Sequence, residues 1–235
     1  MPSVLITGAN RGLGLEFAAQ YLADGWHVCA ACRQPQSAAK LQRLAKGLAK
    51  DKVDRIKILA MDVTDQASIA RAAAALGDAP IDLLINGAGI MGEPNQNVGN
   101  VDYLAWSHVL EVNTLGPLRV VEAFVDHLAR SERKLVVTIT SGMGSLADNT
   151  SGGWIAYRSS KAAVNMVMRS AAIELTPRGI SCVLVNPGWV RTDMGGASAP
   201  LSPTESVAAL RQLIGRLGPA ESGKFFHYDG REFPW

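Results

Sequence analysis

The chain alternates short apolar runs with longer segments of helical periodicity, and this alternation is the feature that most constrains its fold. Residues 4–7 and 28–32 have the length and apolar content of buried strands, and a helical segment follows each of them. Strands that alternate with helices in this way form a parallel sheet. Runs that are apolar throughout, such as residues 135–139, indicate that helices cover both faces of it. We therefore predict an α/β fold with a doubly wound, seven-stranded parallel sheet.

The predicted elements follow one another along the whole chain. Strands are expected at residues 4–7, 28–32, 56–61, 81–86, 134–140, 180–186 and 224–227. Helical segments are expected at residues 12–24, 37–49, 66–76, 101–130, 156–175 and 204–217. No repeat or second domain interrupts this order, so we predict a single domain over residues 1–235.

Composition and charge limit the classes of partner. Hydrophobic residues make up 48% of the 235 residues, enough for a sizeable core. The net formal charge is +2 with no dense run of lysine and arginine, so neither nucleic acid nor a membrane is an expected partner. The sequence shows no signal-like leader and no long apolar segment. We expect a cytoplasmic protein that acts on a small molecule.

The cysteines are Cys29, Cys32 and Cys182, and the first two have C-x-x-C spacing. This spacing can indicate a redox or metal site. Here it falls in a predicted strand, where residues three apart point to opposite faces. We interpret these cysteines as buried reduced thiols, and the four histidines, which lack ligand spacing, do not indicate a metal either.

Polar and glycine-rich loops follow four of the predicted strands, at residues 7–8, 86–89, 140–142 and 186–188. The carboxyl ends of parallel strands meet at one edge of a sheet. Ligands of such sheets bind at that edge, near the point where the strand order reverses. We therefore predict that the four loops form one site.

The first of these loops has the glycine-rich composition of a nucleotide-binding turn. Its glycines permit a close approach of the backbone to a pyrophosphate, and the amides of the following helix point at the phosphates. A plain turn is the alternative, but a position between the first strand and an alanine-rich helix favours nucleotide binding. The loop residues expected at the nucleotide are Gly8, Asn10, Arg11, Gly12, Leu13 and Gly14.

The end of the second predicted strand bears on the choice of dinucleotide. NAD-specific sheets usually place an acid there, whereas this chain has Arg33, which suits a 2′-phosphate. Arg11 adds a second positive charge, so NADP(H) is favoured over NAD(H), the alternative being that the arginines are solvated surface charges. Asp62-Val63, after the third strand, is expected at the adenine amino group. Its alternative is that the aspartate caps the following helix.

Tyr157 and Lys161 lie four residues apart in a predicted helix. Such residues share a helix face, so the ammonium is expected beside the phenol, where it would lower a pKa that is normally about 10. A tyrosine tuned in this way can transfer protons near neutral pH. The spacing also occurs by chance on solvated helices, so its meaning depends on the other motifs.

Six motifs occur in register with the predicted strands. They are Thr7-Gly8-x-x-x-Gly12-x-Gly14, Asn86-Gly87-Ala88-Gly89, Asn113, Ser141, Tyr157-x-x-x-Lys161 and Asn186-Pro187-Gly188. With them the chain resembles the classical short-chain dehydrogenase/reductase family over essentially its whole length, which implies a Rossmann fold. Segments 141–153 and 228–235 look like those of the C-factor and sniffer-type carbonyl reductases.

The resemblance implies a role for each motif. Tyr157 would be the acid in reduction and the base in oxidation, Lys161 would tune it and bind the nicotinamide ribose, and Ser141 would hold the substrate oxygen. Asn113 would position a water that links Lys161 to a proton relay. Ser145 is the alternative to Ser141, and ordinary turn or helix roles are the alternatives for the serine and the asparagine.

The resemblance also implies further contacts to the cofactor. These residues are Asn86, Ala88, Gly89, Pro187, Gly188, Val190 and Thr192, besides Tyr157 and Lys161. The reaction implied is hydride transfer between NADP(H) and a carbonyl or alcohol, and it needs no metal. The alternative is a dinucleotide-binding regulatory or signalling protein with little turnover, against which the intact Ser141, Tyr157 and Lys161 argue.

Substrate choice is expected to depend on the apolar, glycine-rich segments 91–101, 143–154 and 189–203. The candidate residues of an apolar pocket are Met91, Met143, Trp154, Trp189 and Met194, and packing is their alternative role. From the resemblance we also expect a homodimer or homotetramer. The residues expected on its interface are Ala162, Val164, Met168 and Ala171, with packing on their own sheet as the alternative.

Overall fold

The computed structural model describes residues 1–94 and 96–235, and at residues 50–52 only the backbone. The strands are β1 (Ser3–Thr7), β2 (His27–Cys32), β3 (Ile56–Ala60), β4 (Leu83–Asn86), β5 (Leu135–Ile139), β6 (Ser181–Asn186) and β7 (Phe225–His227). The α-helices are α1 (Gly12–Ala23), α2 (Ala39–Lys46), α3 (Gln66–Ala74), α4 (Tyr103–Leu110), α5 (Gly116–Ala129), α6 (Ile155–Glu174) and α7 (Pro203–Arg216). None of the helices described has the length and apolarity to cross a lipid bilayer.

All seven strands join one parallel sheet in the order β3-β2-β1-β4-β5-β6-β7. Ile6 of β1 pairs with Ala30 on one side and with Ile85 on the other. The strand order reverses between β1 and β4, so the loops after these two strands border the crevice in which such sheets bind ligands. The predicted seven-stranded, doubly wound parallel sheet is confirmed.

Two apolar cores cover the two faces of the sheet. Val4 and Ile6 of β1 point into the core that contains Phe17 of α1. Leu5, between them, points into the opposite core with Phe124 of α5. Fully burying a side chain of this size contributes roughly 1.5–3 kcal/mol. The alternation along β1 therefore ties helices to both faces, as the apolar strands predict.

The predicted helical segment 101–130 is three elements in the structure. Asp102 caps α4, because its carboxylate accepts hydrogen bonds from the amides of Leu104 (2.9 Å) and Ala105 (3.1 Å). A π-helical turn, Glu111–Leu115, then joins α4 to α5. Such turns are frequent at functional sites, and this one carries the buried side chain of Asn113.

Cys29 and Cys32 pack into opposite cores, and all three cysteines are free thiols. Burial raises the pKa of Cys29 to about 11 and that of Cys182 to about 12. The predicted placement on opposite faces of a strand is confirmed, but Cys29 is half-buried whereas Cys32 is buried.

Three of the four residues expected on a subunit interface lie in the core of their own chain. Val164, Met168 and Ala171 of α6 are buried against the sheet. The expectation that they form an exposed face was therefore wrong, because the apolar stripe of α6 is the one that covers the sheet. Met166 and Ile173 of the same helix lie outside, with 67% and 68% of their surface exposed.

Candidate active site

A cavity of about 570 Å³ lies at the carboxyl edge of the sheet. Loops that follow the first six strands line it, together with α6. The predicted residues that line it are Gly8, Asn10, Arg11, Gly12, Leu13, Gly14, Arg33, Asp62, Val63, Ala88, Gly89, Tyr157, Lys161, Pro187 and Thr192. The topology thus brings residues distant in sequence to one site.

Two glycines of the nucleotide loop are packed so closely that neither leaves space for a side chain. Gly8 has a φ of +70°, and a Cβ there would lie 2.9 Å from the Cα of Ala88. A Cβ on Gly14 would overlap the carbonyl oxygen of Gly8. The hydroxyl of Thr7 accepts hydrogen bonds from the amides of Gly87 and Ala88, each at 3.0 Å. The loops after β1 and β4 are therefore fastened together at the strand reversal.

Positive charge is concentrated at the β2 side of the cavity. Arg33 follows β2 and is exposed, and Arg11 extends from the glycine loop. Nη1 of Arg11 contacts Oδ2 of Asp193 at 2.8 Å, and hydrogen bonding and charge from Arg11 lower the pKa of Asp193. Both side chains are largely exposed, and exposed ion pairs contribute little. Arg11 is thus free to exchange Asp193 for an anionic ligand at small cost.

Asp62 lines the cavity beyond the end of β3. Burial acts to raise the pKa of its carboxyl, but hydrogen bonds from the amide and hydroxyl of Thr64, at 2.9 and 2.8 Å, lower it on balance. The capping alternative for Asp62 was wrong, because Asp65 caps α3 by accepting from the amide of Ala67 at 2.9 Å. Asp62 is therefore an ionised acceptor at the cavity wall.

Tyr157 and Lys161 lie on successive turns of α6 and are 6% and 5% exposed. Nζ of Lys161 lies 5.8 Å from the centroid of the Tyr157 ring and donates a hydrogen bond to the carbonyl of Ile139 at 3.0 Å. Burial raises the pKa of Tyr157, and hydrogen bonding with the hydroxyl of Ser141 opposes that rise only in part. Tyr157 and Lys161 therefore line the cavity together, and Ser141 lies beside the tyrosine.

The expected effect of Lys161 on the Tyr157 pKa was wrong. Lys161 directs its ammonium to a backbone carbonyl and lies over the ring, so it does not neutralise a phenolate charge at Oη. Burial dominates and raises the phenol pKa. Burial also lowers the pKa of Lys161 itself, to about 8, because its charged form loses solvation.

The structure separates Ser141 from its alternative, Ser145. Ser141 follows β5 at the level of the Tyr157 hydroxyl, and its own hydroxyl accepts from the amide of Met143 at 3.1 Å. Ser145 is buried, and its hydroxyl accepts from the amide of Asp148 at 3.0 Å. Ser141 is therefore the serine that contacts Tyr157, although it does not itself line the cavity.

Asn113 lies behind the cavity wall. Its side chain accepts a hydrogen bond from the amide of Ile90 (2.9 Å) and donates to the carbonyl of Ile90 (2.8 Å) and to the hydroxyl of Ser160 (3.0 Å). A Cβ at Gly89 would lie 3.4 Å from Oδ1 of Asn113 and 3.7 Å from Nζ of Lys161. The asparagine thus fixes the loop after β4 close to Lys161.

Three expected cofactor residues, Asn86, Gly188 and Val190, do not line the cavity. Asn86 points towards α5 and donates to the carbonyl of Pro117 at 3.3 Å. A Cβ at Gly188 would lie 2.7 Å from Leu201, and Val190 pairs with the same leucine. These residues support the cavity wall from behind, and their neighbours Ala88, Pro187 and Thr192 line the cavity.

Sequence reasoning missed part of the lining. The residues concerned are Cys32, Gln34, Ser37, Met61, Gly87, Ile90, Val112, Ile139, Thr140 and Asp193. Most adjoin predicted residues, so their place beside those residues was the available signal; Ser37 had none. Of the five candidates for the apolar pocket, only Met194 is among the described residues of the lining, and its Sδ lies 4.0 Å from Oη of Tyr157.

The cavity fits a nicotinamide dinucleotide on structural grounds. Gly8, Gly12 and Gly14 line the cavity without side chains, so a pyrophosphate can approach the backbone at these positions. Arg11 and Arg33 suit a phosphate on the ribose, and Asp62 is an acceptor for an amino group. The lining of the cavity includes both these arginines and Tyr157 on α6.

Comparison with known proteins agrees with this geometry. The family model described as short chain dehydrogenase matches residues 2–200. C-signal of Myxococcus xanthus is 47% identical over 156 residues, which cover 66% of this chain and 93% of that protein.

Solved structures extend the similarity to the whole chain. The carbonyl reductase Sniffer of D. melanogaster has a TM-score of 0.92 and 33% identity over 100% of both chains. The NADPH-bound carbonyl reductase from chicken fatty liver has a TM-score of 0.91 and 36% identity over 100% of this chain and 99% of its own. The chain therefore belongs to the short-chain dehydrogenase/reductase family, with C-factor and sniffer-type relatives.

Proposed function

We propose that the chain is an NADP(H)-dependent oxidoreductase that converts a ketone or aldehyde to an alcohol, or the reverse, within one domain over residues 1–235. The observation that carries this proposal is the pair Tyr157 and Lys161 in the lining of a dinucleotide-sized cavity, with Ser141 beside the tyrosine. The NADPH bound by the chicken carbonyl reductase supports the cofactor.

The chain offers a binding group for each part of the cofactor. The glycine loop and the first amides of α1 would hold the pyrophosphate, and Arg11 and Arg33 would hold the 2′-phosphate. Asp62 would accept from the adenine, and Lys161 would contact the nicotinamide ribose. NADPH, when bound, supplies the hydride.

Tyr157 would be the residue that transfers the proton. Its pKa is raised by burial, so the hydroxyl keeps its proton at neutral pH and is available as an acid for the substrate oxygen. Ser141 would donate a hydrogen bond to the same oxygen and stabilise the negative charge that develops there. Lys161 keeps a positive charge below its pKa of about 8, and with it would hold the nicotinamide ribose.

The proposal is tested by oxidation of NADPH and NADH with a panel of aldehydes, ketones and quinones. We expect turnover with NADPH, and a loss of about 10²- to 10⁴-fold in the Tyr157→Phe variant, the range for a general acid. Tyr103→Phe is the matched control, because Tyr103 is 74% exposed and lies outside the cavity lining. Full turnover in Tyr157→Phe would contradict the proposal.

The similarity to C-signal favours a second candidate, a regulatory protein that binds NADPH with little turnover. A regulatory protein of this kind does not use the proton-transfer groups. This candidate therefore predicts that the Tyr157→Phe variant keeps its biological activity. Tight NADPH binding without oxidation by any carbonyl in the panel would favour this candidate.

A further inference from the structure

Gln96, in the loop between β4 and α4, has a buried side chain whose polar atoms are fully used. The residue is 6% exposed. Nε2 donates hydrogen bonds to the carbonyls of Met91 (2.9 Å) and Glu93 (2.6 Å), and Oε1 accepts one from the amide of Tyr157 (2.9 Å). A single side chain thus joins this loop to the backbone of the tyrosine.

Helix α6 has no cap of its own at the end that carries Tyr157. Trp154, the residue before the helix, has a φ of +51°, whereas a capping residue is normally extended and offers a side-chain oxygen. Gln96 supplies the acceptors instead. Its backbone carbonyl accepts from the amide of Ile155 at 2.9 Å, and its side chain accepts from that of Tyr157. A residue 61 positions earlier therefore caps the first turn of α6.

The fit around this amide is tight and fixes its orientation. Carbonyl oxygens only accept and a backbone N–H only donates, so Nε2 must face Met91 and Glu93, and Oε1 must face Tyr157. Gly92 has a φ of +81°, and a Cβ there would lie 3.0 Å from Nε2 of Gln96. The loop therefore packs closely against the side-chain amide of Gln96. This packing fixes the position of the loop relative to the first turn of α6.

We propose that Gln96 is a positioning residue, which sets the place of the Tyr157 hydroxyl by capping the turn that carries it. The inference rests on the proposed function, since it assigns Gln96 a role through the acid Tyr157. It also makes the position of the acid depend on the backbone of Met91 and Glu93. A substrate that contacts this loop thereby affects the alignment of the acid.

The first test is the Gln96→Met variant, which keeps the length of the side chain and removes its hydrogen bonds. We expect kcat for carbonyl reduction to fall roughly 10- to 100-fold, the cost of a small misplacement of a reacting group. The dissociation constant of NADPH should stay unchanged, because Gln96 does not line the cavity. The amide of Tyr157 should exchange its hydrogen faster by NMR, whereas the amides near the end of α6 should not.

Gln96→Glu is a second variant that keeps the shape. Its protonated carboxyl still accepts from Tyr157 and donates to one carbonyl of the loop, whereas a carboxylate would face the carbonyls of Met91 and Glu93. The kcat of this variant should therefore fall as pH rises through the pKa of the introduced carboxyl, which burial holds above about 4.3. The wild type should lack this ionisation.

Asp65→Ala is the matched control, because it removes the cap of α3, a helix with no residue in the cavity lining. It should lower the melting temperature and leave kcat unchanged. Wild-type kcat in Gln96→Met, or a kcat that falls only in parallel with NADPH binding, would overturn the inference. If Gln96→Met does not fold, a pH-independent kcat in Gln96→Glu would overturn it. Activity of Tyr157→Phe would instead overturn the proposed function.

Discussion

At the scale of single residues, burial governs the two ionisable groups of the site. It raises the pKa of Tyr157 and lowers that of Lys161 to about 8, in each case because the charged form loses solvation. Their spacing in the sequence predicts that they are neighbours on a helix. It does not show their depth, which is why the predicted direction of the tyrosine pKa shift was wrong.

The depressed pKa of Lys161 predicts a dependence of stability on pH. Between pH 8 and 10.5 the native lysine is mostly neutral and the unfolded one is still charged. The unfolded state then binds more protons, so this residue makes the free energy of unfolding rise with pH. The pKa of Lys161 is lowered from 10.5 to about 8. Each pKa unit corresponds to about 1.36 kcal/mol, so the free energy of unfolding rises by about 3 kcal/mol. Above about pH 9 the thiols and Tyr157 oppose it, because their native pKa values are raised.

Lys161→Met isolates this effect, since methionine does not titrate. Urea unfolding should show that the difference in free energy of unfolding, wild type minus variant, increases between pH 8 and 10.5. If the free energies of unfolding of the two proteins instead changed in parallel with pH, the pKa of Lys161 would not be depressed in the native state.

Arg33 is expected to discriminate between the two dinucleotides. A charged hydrogen bond contributes about 1.5–3 kcal/mol, so Arg33→Gln should weaken NADPH binding by roughly 10- to 100-fold and leave NADH binding unchanged. Nucleotide fluorescence titration measures both dissociation constants. Arg43→Gln, on the exposed side of α2 and outside the cavity lining, should alter neither. Equal weakening of both nucleotides in Arg33→Gln would mean that Arg33 does not contact a 2′-phosphate.

At the scale of elements, the packing of α1 against the glycine loop depends on Gly14. A Cβ there would overlap the carbonyl of Gly8, and backbone cannot move aside as a side chain can. Gly14→Ala should therefore destabilise the protein by about 1–3 kcal/mol and weaken NADPH binding. Thermal unfolding and fluorescence titration measure the two effects.

Gly215→Ala is the matched control for this helix contact. Gly215 lies in α7, and a Cβ there would meet nothing within 4 Å. Alanine should stabilise a helix at such a position by about 0.5–1 kcal/mol. Equal effects of the two substitutions would contradict the close packing at Gly14.

The ends of some helices depend on residues that are distant in the sequence, and these ends could not be predicted. The apolar pattern continues through residues 101–130, so the sequence gives no sign of the π-helical turn at Glu111–Leu115. That turn coincides with the contact of Asn113 to Ile90, which only the folded chain brings together. In the same way the cap of α6 comes from Gln96, which no local pattern connects with the helix. The caps of α3 and α4, Asp65 and Asp102, are by contrast part of their own helix ends.

At the scale of the whole molecule, the period of the apolar residues was sufficient to predict the sheet. Strands apolar on both faces require helices on both faces, and the structure has them. The pattern also predicted which loops meet at the carboxyl edge. It could not determine which residues of a loop face the cavity, as Asn86 and Ala88 show, because the backbone turns between them.

The formation of a homodimer or homotetramer stays a prediction. The interface first expected for it is no longer available, because most of its residues are buried in their own chain. Light scattering should give about two or four times the chain mass of 24.9 kDa. A glutamate at both Met166 and Ile173, the exposed apolar residues of α6, should reduce that mass if α6 lies in the interface. A monomeric mass for the wild type would contradict the prediction.

The most direct test of the account follows hydrogen from the nucleotide to the product. NADPH deuterated at both C4 positions of the nicotinamide is mixed with excess protein and a carbonyl compound, and the alcohol is analysed by mass spectrometry. The account predicts one deuterium on the carbinol carbon with the wild type, and no labelled alcohol on the same timescale with Tyr157→Phe. Tight NADPH binding by the wild type with no labelled alcohol from any aldehyde or ketone would contradict it.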